Sequence, residues 1–286
     1  MAERVEIFEV GPRDGLQNEA RMIAAADKIA LVDLLSTAGF ARIEVASFVS
    51  PKWVPQMADG AEVLAGITRA PGLSYAALTP NMRGYLGAKA ARADEIAVFA
   101  SASEGFSKAN LNASVLDSLG RFWDVVQAAK ADGMRVRGYI SCVTDCPFDG
   151  PTPPAQVAVV ASALKAMGCY EISLGDTIGR GRPEAVDAML DAVLNVAGAD
   201  MLAGHFHNTA GRALENVDVA LARGVRVFDA AVGGLGGCPY APGAEGNVAT
   251  EALDAHLRMR GFETGLDAGV LAQAAQLARE LVNGND

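Results

Sequence analysis

Short apolar runs alternate with amphipathic segments along most of the chain. Residues 5–10 form the first run and end at Gly11-Pro12, and residues 24–38 then place apolar side chains at helical spacing up to Gly39. Apolar runs and helical segments of these two kinds alternate along the chain. The runs predict strands at residues 5–10, 42–45, 73–78, 95–99, 135–140, 170–174, 201–206 and 225–230. Eight strand–helix units without a shift in composition predict an α/β chain folded as a (β/α)8 TIM barrel.

A doubly wound open sheet would also alternate strands with helices. Such a sheet usually carries Gly-x-Gly-x-x-Gly after its first strand, and this chain has no such sequence there. Residues 247–286 have helical character, so we expect a small C-terminal helical appendage on the barrel. The expected organisation is a single domain over residues 1–286, with the barrel at about 5–230 and a loop and helices at 231–286.

The carboxyl ends of the strands are where (β/α)8 barrels build their active sites. His205 and His207 end the predicted seventh strand, and side chains two residues apart on a strand point to the same face. Asp14 follows the first strand, and Asn247 ends the glycine-rich loop that follows the eighth. These side chains predict a divalent-metal site, and mixed nitrogen and oxygen ligands suit Mg²⁺ or Mn²⁺ better than Zn²⁺.

Each of these residues also has a purely structural interpretation. The two histidines could pack a strand end as a hydrogen-bonded pair. Asp14 could be a surface turn carboxylate, and Asn247 could cap the helix that follows it. The metal site is favoured because ligand-type side chains occur at three strand ends that a barrel would bring together.

Arg13 stands beside the proposed ligand Asp14. A fixed guanidinium in that position can stabilise a developing enolate or alkoxide oxygen. It can equally pair with Glu44 or Asp176 in an ion network over the barrel. The two roles are compatible.

Cys238 lies in the glycine-rich loop at residues 233–247. The glycines give the backbone freedom expected of a mobile lid, which can carry a thiol to the substrate as an acid or a base. The alternative is a small buried residue before a proline. The other cysteines, which we expect to be structural, are Cys142, Cys146 and Cys169.

Two further loops contain candidates for contact with a ligand. Residues 101–110, after the fourth strand, are predicted to be a solvated loop in which Lys108 faces solvent rather than a phosphate. Trp53 is either packed within its own loop or part of the wall of the substrate site.

Composition and charge narrow the class of partner. The net charge of −10 argues against nucleic acid or an anionic membrane as the main partner, without excluding a local basic patch for an anionic small molecule. No run approaches the ~18 consecutive apolar residues of a transmembrane helix, and no basic-then-apolar leader precedes the first strand. We therefore expect a cytoplasmic globular protein with 51% hydrophobic and 20% charged residues.

Four segments together are similar to the motifs of one enzyme family. They are Glu9-Val-Gly-Pro-Arg-Asp-Gly-Leu-Gln-Asn-Glu19, Ser47-Phe-Val-Ser-Pro-Lys-Trp-Val-Pro-Gln-Met57, Met167-Gly-Cys-Tyr-Glu-Ile-Ser-Leu-Gly-Asp-Thr-Ile-Gly179, and Gly234-Leu-Gly-Gly-Cys-Pro-Tyr-Ala241 with Gly246-Asn-Val-Ala-Thr-Glu251. The glycine-loop signature is highly specific, whereas Arg-Asp-Gly-x-Gln alone would indicate only the wider superfamily. From about residue 5 to residue 266 the chain resembles the 3-hydroxy-3-methylglutaryl-CoA lyases, which are metal-dependent TIM-barrel lyases.

The resemblance implies a role for particular side chains. The metal ligands would be Asp14, His205, His207 and Asn247, and the catalytic residues would be Cys238 and Arg13. The positions that the family keeps near the substrate are Arg13, Gln17, Glu44, Ser47, Ser173 and Thr177, with Asp176 near substrate or metal. One departure is Asn208, which follows the second histidine where many relatives have an acidic residue, so the surroundings of His207 are expected to differ.

The implied reaction is the retro-Claisen cleavage of 3-hydroxy-3-methylglutaryl-CoA to acetoacetate and acetyl-CoA, as in leucine degradation and ketone-body metabolism. Asp14 or a histidine could remove the hydroxyl proton, and Cys238 is the expected proton donor to the departing enolate. Three alternatives stay open: a lyase for a larger 3-hydroxy-3-alkylglutaryl-CoA, a condensing synthase of the same superfamily, and a metal-binding scaffold without activity. A homodimer is compatible with such a barrel, although no interface can be assigned.

Overall fold

The computed structural model describes residues 2–236 and 246–284, and its centre is a closed barrel of parallel strands. The strands are β1 (Glu6–Glu9), β2 (Arg42–Ser47), β3 (Ser74–Leu78), β4 (Glu95–Ser101), β5 (Arg135–Ser141), β6 (Asp145–Cys146), β7 (Gly150–Pro151), β8 (Glu171–Asp176), β9 (Leu202–Phe206) and β10 (Val227–Ala230). The barrel order is β1-β2-β3-β4-β5-β8-β9-β10, and β10 pairs with β1, while β6 and β7 form a separate hairpin. Closure excludes the open doubly wound sheet and confirms the predicted (β/α)8 barrel.

In the described part of the chain, eight α-helices connect successive barrel strands, and two more follow the last strand. They are α1 (Ala25–Leu35), α2 (Gly60–Gly66), α3 (Met82–Ala90), α4 (Glu104–Leu111), α5 (Val115–Ala131), α6 (Pro154–Met167), α7 (Pro183–Leu194), α8 (Ala213–Ala222), α9 (Thr250–Met259) and α10 (Ala268–Asn283). Asn81 caps α3 by accepting a hydrogen bond from the Gly84 backbone N–H at 3.1 Å. Within the described residues, no helix combines the length and the apolar character that crossing a bilayer needs.

Residues 104–111 form helix α4, so the prediction of a solvated loop over residues 101–110 was wrong. Ser103 Oγ accepts a hydrogen bond from the Phe106 backbone N–H at 3.1 Å and caps the helix, and the Phe106 ring is buried. Such a short helix around one apolar anchor leaves little helical periodicity in the sequence. Lys108 lies on the exposed face of α4, in agreement with its predicted exposure.

Four strands, β2, β4, β5 and β8, run further than the sequence pattern indicates, and in β2 and β8 the extension includes a candidate site residue. β2 continues to Ser47 and β8 continues to Asp176, and every residue of both strands is buried. Parallel barrel strands are covered on both faces, so the alternation of polar and apolar residues that would mark their ends is absent. Ser47 and Asp176 therefore belong to the strands and not to the loops that follow them.

The two C-terminal helices pack beside the seam where β1 meets β10. α10 contacts α1 and the turn at Val232–Gly234, and α9 contacts β1. The side chains that α10 buries in this packing are Leu271, Ala274, Ala275 and Ala278. The expected C-terminal helical appendage is thus present, and it supports the strand ends from which the site is built.

An ion network occupies part of the barrel interior. Arg137 is 1% exposed, and its Nη1 and Nη2 donate to the two carboxylate oxygens of Asp229 at 3.0 and 2.7 Å. Its Nε donates to Glu171 at 2.5 Å, and Arg42 binds the same carboxylate at 2.9 and 3.0 Å. Pairing offsets the desolvation cost of burying these charges. The consequence for the site is that Asp229 is held in one orientation.

Candidate metal centre and active site

A single π turn at Gly11–Gly15 carries Arg13 and Asp14 beyond the end of β1. The Leu16 backbone N–H bonds to the carbonyl of Gly11, five residues earlier, at 3.0 Å. π turns are rare and frequently occur at functional sites. This one places Asp14 towards β9 and Arg13 towards β2.

His205 and His207 point to the same face of the barrel end, as their spacing predicts. Their Nε2 atoms are 3.2 Å apart, and His205 Nε2 lies 3.9 Å from Asp14 Oδ2. One ligand atom from each of the three side chains lies within 4.8 Å of the other two. Two imidazole nitrogens and a carboxylate converging in this way fit a divalent metal ion, and packing of a strand end does not require the carboxylate.

Asn247 reaches the same place from beyond the glycine-rich loop. Its Nδ2 donates to Asp14 Oδ2 at 2.8 Å and to the Leu235 carbonyl at 3.2 Å, so the amide oxygen is the atom it can offer to a metal. The backbone of Asn247 pairs with that of His207 in an antiparallel bridge. Helix α9 begins only at Thr250, so the alternative that Asn247 caps this helix is excluded.

Gly236 allows Asn247 to approach Asp14. Its φ of 99° lies in the left-handed region, where side chains are disfavoured. A Cβ atom at this position would lie 2.7 Å from Asn247 Nδ2 and 3.2 Å from Gly15 Cα. Any larger residue would therefore displace the amide from the ligand cluster.

Arg13 is buried and paired on two sides. Its Nε donates to Glu44 Oε2 at 2.5 Å, and its Nη1 donates to Asp14 Oδ1 at 2.5 Å. Asp176, the other partner considered from the sequence, accepts a hydrogen bond from Thr144 at 3.0 Å instead. Arg13 also lines the cavity above the ligand cluster, so its ion pair with Glu44 and a direct action on substrate are compatible.

The protonation states of the cluster follow from burial and from its neighbours. Burial alone would raise the pKa of Asp14, but Arg13 and the two histidines outweigh it and lower the pKa to about 2. Burial, helped by His205, lowers the pKa of His207 to about 4. Burial would also lower the pKa of His205, but Asp229 outweighs it and raises that pKa. The cluster therefore presents a carboxylate and a neutral imidazole at His207, which are the forms that bind metal.

A cavity of about 600 Å³ opens over the ligand cluster. The predicted site residues that line it are Arg13, Asp14, Gln17, Thr177, His205 and His207. The apolar and aromatic part of its wall includes Trp53, Leu78, Phe99, Phe106 and Tyr139. Trp53 thus belongs to the wall of the cavity, although 86% of its surface is exposed. A charged floor under an apolar wall suits a ligand with a polar head and an extended arm.

Three residues predicted to contact substrate lie within strands and do not line this cavity as far as the described residues form it. Glu44 holds Arg13, and Ser173 Oγ donates to Asp229 at 2.8 Å. Ser47 Oγ is buried and has no hydrogen-bond partner in the described part of the chain. Their contact with substrate stays a prediction.

Cys238 lies outside the described residues, so its catalytic role also stays a prediction. The three remaining cysteines are buried and free. None of these three lines the cavity as the described residues form it. This agrees with the structural role expected for them.

The family model described as HMGL-like matches residues 4–278. The chain belongs to the HMGL-like family. The similarity confirms the family that the sequence motifs indicate. Members of this family depend on a divalent metal, and Asp14, His205 and His207 offer a site for one in this chain.

Several HMGL-like proteins are similar to this chain over nearly its full length. The crystal structure of the HMG-CoA lyase from Brucella melitensis is 60% identical, covers 99% of this chain and 100% of that chain, and superposes with a TM-score of 0.98. The 3-hydroxy-3-isohexenylglutaryl-CoA/hydroxy-methylglutaryl-CoA lyase of Pseudomonas aeruginosa is 55% identical over 96% of this chain and 92% of that protein. The mitochondrial hydroxymethylglutaryl-CoA lyase of Bos taurus is 53% identical over 98% of this chain and 86% of that protein.

Asp229 is a residue of this HMGL-like site that the sequence did not reveal. Its Oδ2 accepts hydrogen bonds from His205 Nδ1 at 3.1 Å and from Ser173 Oγ at 2.8 Å. A proton held on Nδ1 leaves Nε2 as the lone-pair nitrogen that faces Asp14 and His207. The only available signal was a carboxylate inside the apolar strand Val-Phe-Asp-Ala.

The second histidine of the HMGL-like site, His207, lacks a hydrogen-bond partner equivalent to Asp229 in the described part of the chain. His207 Nδ1 is buried and has no hydrogen-bond partner among the described residues. The side chain of the next residue, Asn208, accepts a hydrogen bond from the Ala213 backbone N–H at 3.2 Å. The two histidines are therefore held unequally, and His205 is the better oriented ligand.

We expect Asp229→Asn to weaken metal binding by ~10–100-fold, the usual effect of losing a partner behind a metal ligand. The amide of the new asparagine can turn its NH₂ group towards His205. In that orientation it no longer favours a proton on His205 Nδ1. Titration of metal-free protein with Mn²⁺, followed by electron paramagnetic resonance, measures the change. Asp187→Asn is the matched control, because Asp187 also binds an arginine, Arg223, at 2.7 Å but is far from the site. An unchanged Mn²⁺ affinity in Asp229→Asn would contradict the role of Asp229.

Proposed function

We propose that this chain is a divalent-metal-dependent carbon–carbon lyase that cleaves 3-hydroxy-3-methylglutaryl-CoA to acetoacetate and acetyl-CoA. The observation that carries the proposal is the convergence of Asp14, His205 and His207 beside Arg13 at the floor of one cavity. The names of the similar HMGL-like proteins support the substrate class.

The proposed ligands of the metal are Asp14, His205, His207 and Asn247, and Mg²⁺ or Mn²⁺ is the ion that we propose. Nitrogen and oxygen donors of this kind suit either ion. When bound, the ion supplies Lewis-acid polarisation of the substrate oxygens, which makes the tertiary hydroxyl easier to deprotonate.

The residues of the chain carry the proton transfers. The general base comes from the group of Asp14, His205 and His207, which accepts the proton of the tertiary hydroxyl. The C2–C3 bond then breaks, its electron pair passes to the thioester as an enolate, and C3 becomes the ketone of acetoacetate. Arg13 is placed to stabilise the developing oxyanion. Cys238 donates a proton to C2, which gives acetyl-CoA.

The residues that we propose for substrate binding are those implied by the family: Arg13, Gln17, Glu44, Ser47, Ser173 and Thr177. Arg13, Gln17 and Thr177 line the cavity and are suited to touch the polar head directly. Glu44 acts through Arg13, to which it is hydrogen-bonded at 2.5 Å. Ser173 acts through Asp229, which also accepts a hydrogen bond from His205.

Incubation of the protein with 3-hydroxy-3-methylglutaryl-CoA tests the proposed function. Acetoacetate is expected with Mg²⁺ or Mn²⁺ present, and its formation is expected to stop with EDTA and to return when the ion is restored. A condensing synthase would instead join acetyl-CoA to a 2-oxo acid, and the same preparation can be assayed for that product. Metal binding without either reaction would identify a metal-binding scaffold and would refute the proposed lyase.

A lyase for a larger 3-hydroxy-3-alkylglutaryl-CoA is a second candidate. The relative from Pseudomonas aeruginosa carries an isohexenylglutaryl-CoA name, and the cavity of this chain has an apolar wall with Leu78 and Phe99. Such a wall can accept a branched hydrocarbon tail. The ratio of kcat/KM for the isohexenyl and methyl substrates decides between the two candidates.

We propose a single lyase domain for residues 1–286, acting in the cytoplasm as a homodimer, with a place in leucine degradation. The three described free cysteines fit a reducing compartment. The bovine relative is named as mitochondrial, so fractionation of the source cells is the test of the compartment. Sedimentation equilibrium tests the dimer.

A further inference from the structure

Glu9 is a fully buried carboxylate for which the proposed reaction has no use. It is the last residue of β1, its exposed fraction is 0%, and it does not line the cavity as the described residues form it. Its Oε1 accepts hydrogen bonds from the backbone N–H groups of Gly11 at 2.7 Å and Val232 at 2.9 Å. Its Oε2 accepts a hydrogen bond from Thr250 Oγ1 at 2.6 Å.

The three groups that donate hydrogen bonds to Glu9 belong to three different chain segments around the site. Gly11 begins the π turn that carries Asp14. Val232 begins the turn that leads to Gly236, and Thr250 begins helix α9, three residues after Asn247. One carboxylate therefore joins the segment that bears Asp14 to both segments that flank Asn247.

The packing around Glu9 leaves little room for adjustment. A Cβ atom at Gly11 would lie 2.6 Å from Glu9 Oε1 and 3.2 Å from the Val232 nitrogen. The next N–H along, that of Gly233, donates to Glu251 Oε2 at 3.0 Å. Two carboxylates thus hold consecutive backbone N–H groups at the start of the Val232–Gly234 turn.

We propose that Glu9 is a positioning residue that sets the distance between Asp14 and Asn247 and thereby the affinity of the site for its metal. The proposal rests on the proposed function, because it takes both residues as metal ligands. Asp14 and Asn247 are 233 residues apart in sequence and meet through a hydrogen bond of 2.8 Å. That contact joins two segments of the chain, and the Glu9 carboxylate binds both of them.

The hydrogen-bonding pattern of the Glu9 carboxyl suggests a conservative variant, Glu9→Gln. Burial raises the pKa of Glu9 to about 7, against the hydrogen bonds from Thr250, Val232 and Gly11, which lower it. The protonated carboxyl can still accept the two backbone N–H groups on one oxygen and donate from the other to Thr250. A glutamine has the same shape and the same pattern of acceptor and donor. Glu9→Gln is therefore expected to keep the metal affinity of the wild-type protein, whereas Glu9→Leu removes all three hydrogen bonds.

Thr250→Val gives the most selective test, because it deletes only the hydroxyl that joins Glu9 to helix α9. The probe is Mn²⁺ added to metal-free full-length protein, with the bound fraction measured by electron paramagnetic resonance. We expect Thr250→Val to bind Mn²⁺ ~10-fold more weakly, the lower end of the effect of losing a partner behind a metal ligand. Thr250→Ser, which keeps the hydroxyl, is expected to restore the wild-type affinity.

A double-mutant comparison separates positioning from general stability. Asn247→Ala alone is expected to weaken Mn²⁺ binding, and adding Thr250→Val to it should cause no further loss, because the two changes act through the same ligand. A further ~10-fold loss in the Asn247→Ala background would overturn the proposal in favour of a general structural role. Thermal unfolding of each variant shows whether it is folded, and Thr250→Ala replaces Thr250→Val if that variant is not.

The outcomes distinguish this proposal from the proposed function. Wild-type affinity in both Thr250→Val and Glu9→Leu would overturn only the role of Glu9. A wild-type protein that binds Mn²⁺ without cleaving 3-hydroxy-3-methylglutaryl-CoA would refute the lyase and leave the affinity comparison valid. Failure of the wild-type protein to bind Mn²⁺ would overturn both.

Discussion

Arg13→Gln is expected to lower kcat for 3-hydroxy-3-methylglutaryl-CoA by ~10²–10³-fold, the usual effect of removing one donor that faces a developing oxyanion. The guanidinium lines the cavity and is oriented by Glu44 and Asp14 before any substrate arrives. A neutral amide in its place offers a weaker, shorter donor. Initial rates at saturating substrate and saturating Mg²⁺ measure the effect.

Arg13→Gln also breaks the ion pair between Arg13 and Glu44, so a control must separate this effect from the loss of the donor. Glu44 is 0% exposed, so losing its cation leaves a buried carboxylate without a counter-charge and destabilises the fold by about 3–5 kcal/mol. Arg13→Gln/Glu44→Gln removes that charge and is expected to recover the unfolding midpoint without recovering kcat. Glu44→Gln alone measures the separate contribution of Glu44. Recovery of kcat in the double variant would show that Arg13 acts only as a partner of Glu44.

Cys238→Ala is expected to fold, to bind Mn²⁺ like the wild-type protein and to cleave the substrate ~10²–10⁴-fold more slowly. The departing acetyl-CoA enolate needs a proton at C2, and a thiol in the family's glycine-rich signature is the group proposed to donate it. No proposed metal ligand is changed, so the loss should fall on kcat and not on metal affinity.

Cys169→Ala is the matched control for Cys238→Ala. Cys169 is buried beside the start of β8, and burial raises the pKa of its thiol, so it has no part in the proposed chemistry. It is expected to keep kcat near the wild-type value. A kcat for Cys238→Ala equal to that of Cys169→Ala would remove Cys238 from the mechanism.

The ligand cluster could be predicted from the sequence because one rule of the fold brings strand ends together. Asp14, His205 and Asn247 each follow or end a predicted strand or its loop, and the carboxyl ends of barrel strands share one face. His207 was placed by the period of two residues along a strand. These inferences need only the identity of the strands, and the barrel in the structure agrees with them.

The side chains behind the ligands could not be predicted in this way. Asp229 acts on His205 because β9 and β10 are neighbours, with Asp229 in register with His205. Glu9 acts through N–H groups of Gly11 and Val232 and through Thr250, which are distant along the chain except for Gly11. Each carboxylate stands in an apolar strand, but the local sequence does not show which distant groups it will bind.

The sequence by itself determined the alternation of strands and helices, the family and the four proposed metal ligands, because periodicity and short motifs are local properties of a chain. Tertiary structure alone decided that residues 104–111 are helical and that Ser47 and Asp176 lie inside strands. It also decided that His205 Nδ1 has a carboxylate partner, whereas His207 Nδ1 has no hydrogen-bond partner among the described residues. Burial and hydrogen bonding in this barrel depend on which distant segments become neighbours. Asp229 becomes a neighbour of His205 because β10 pairs with β9, and β10 in turn pairs with β1, which carries Glu9.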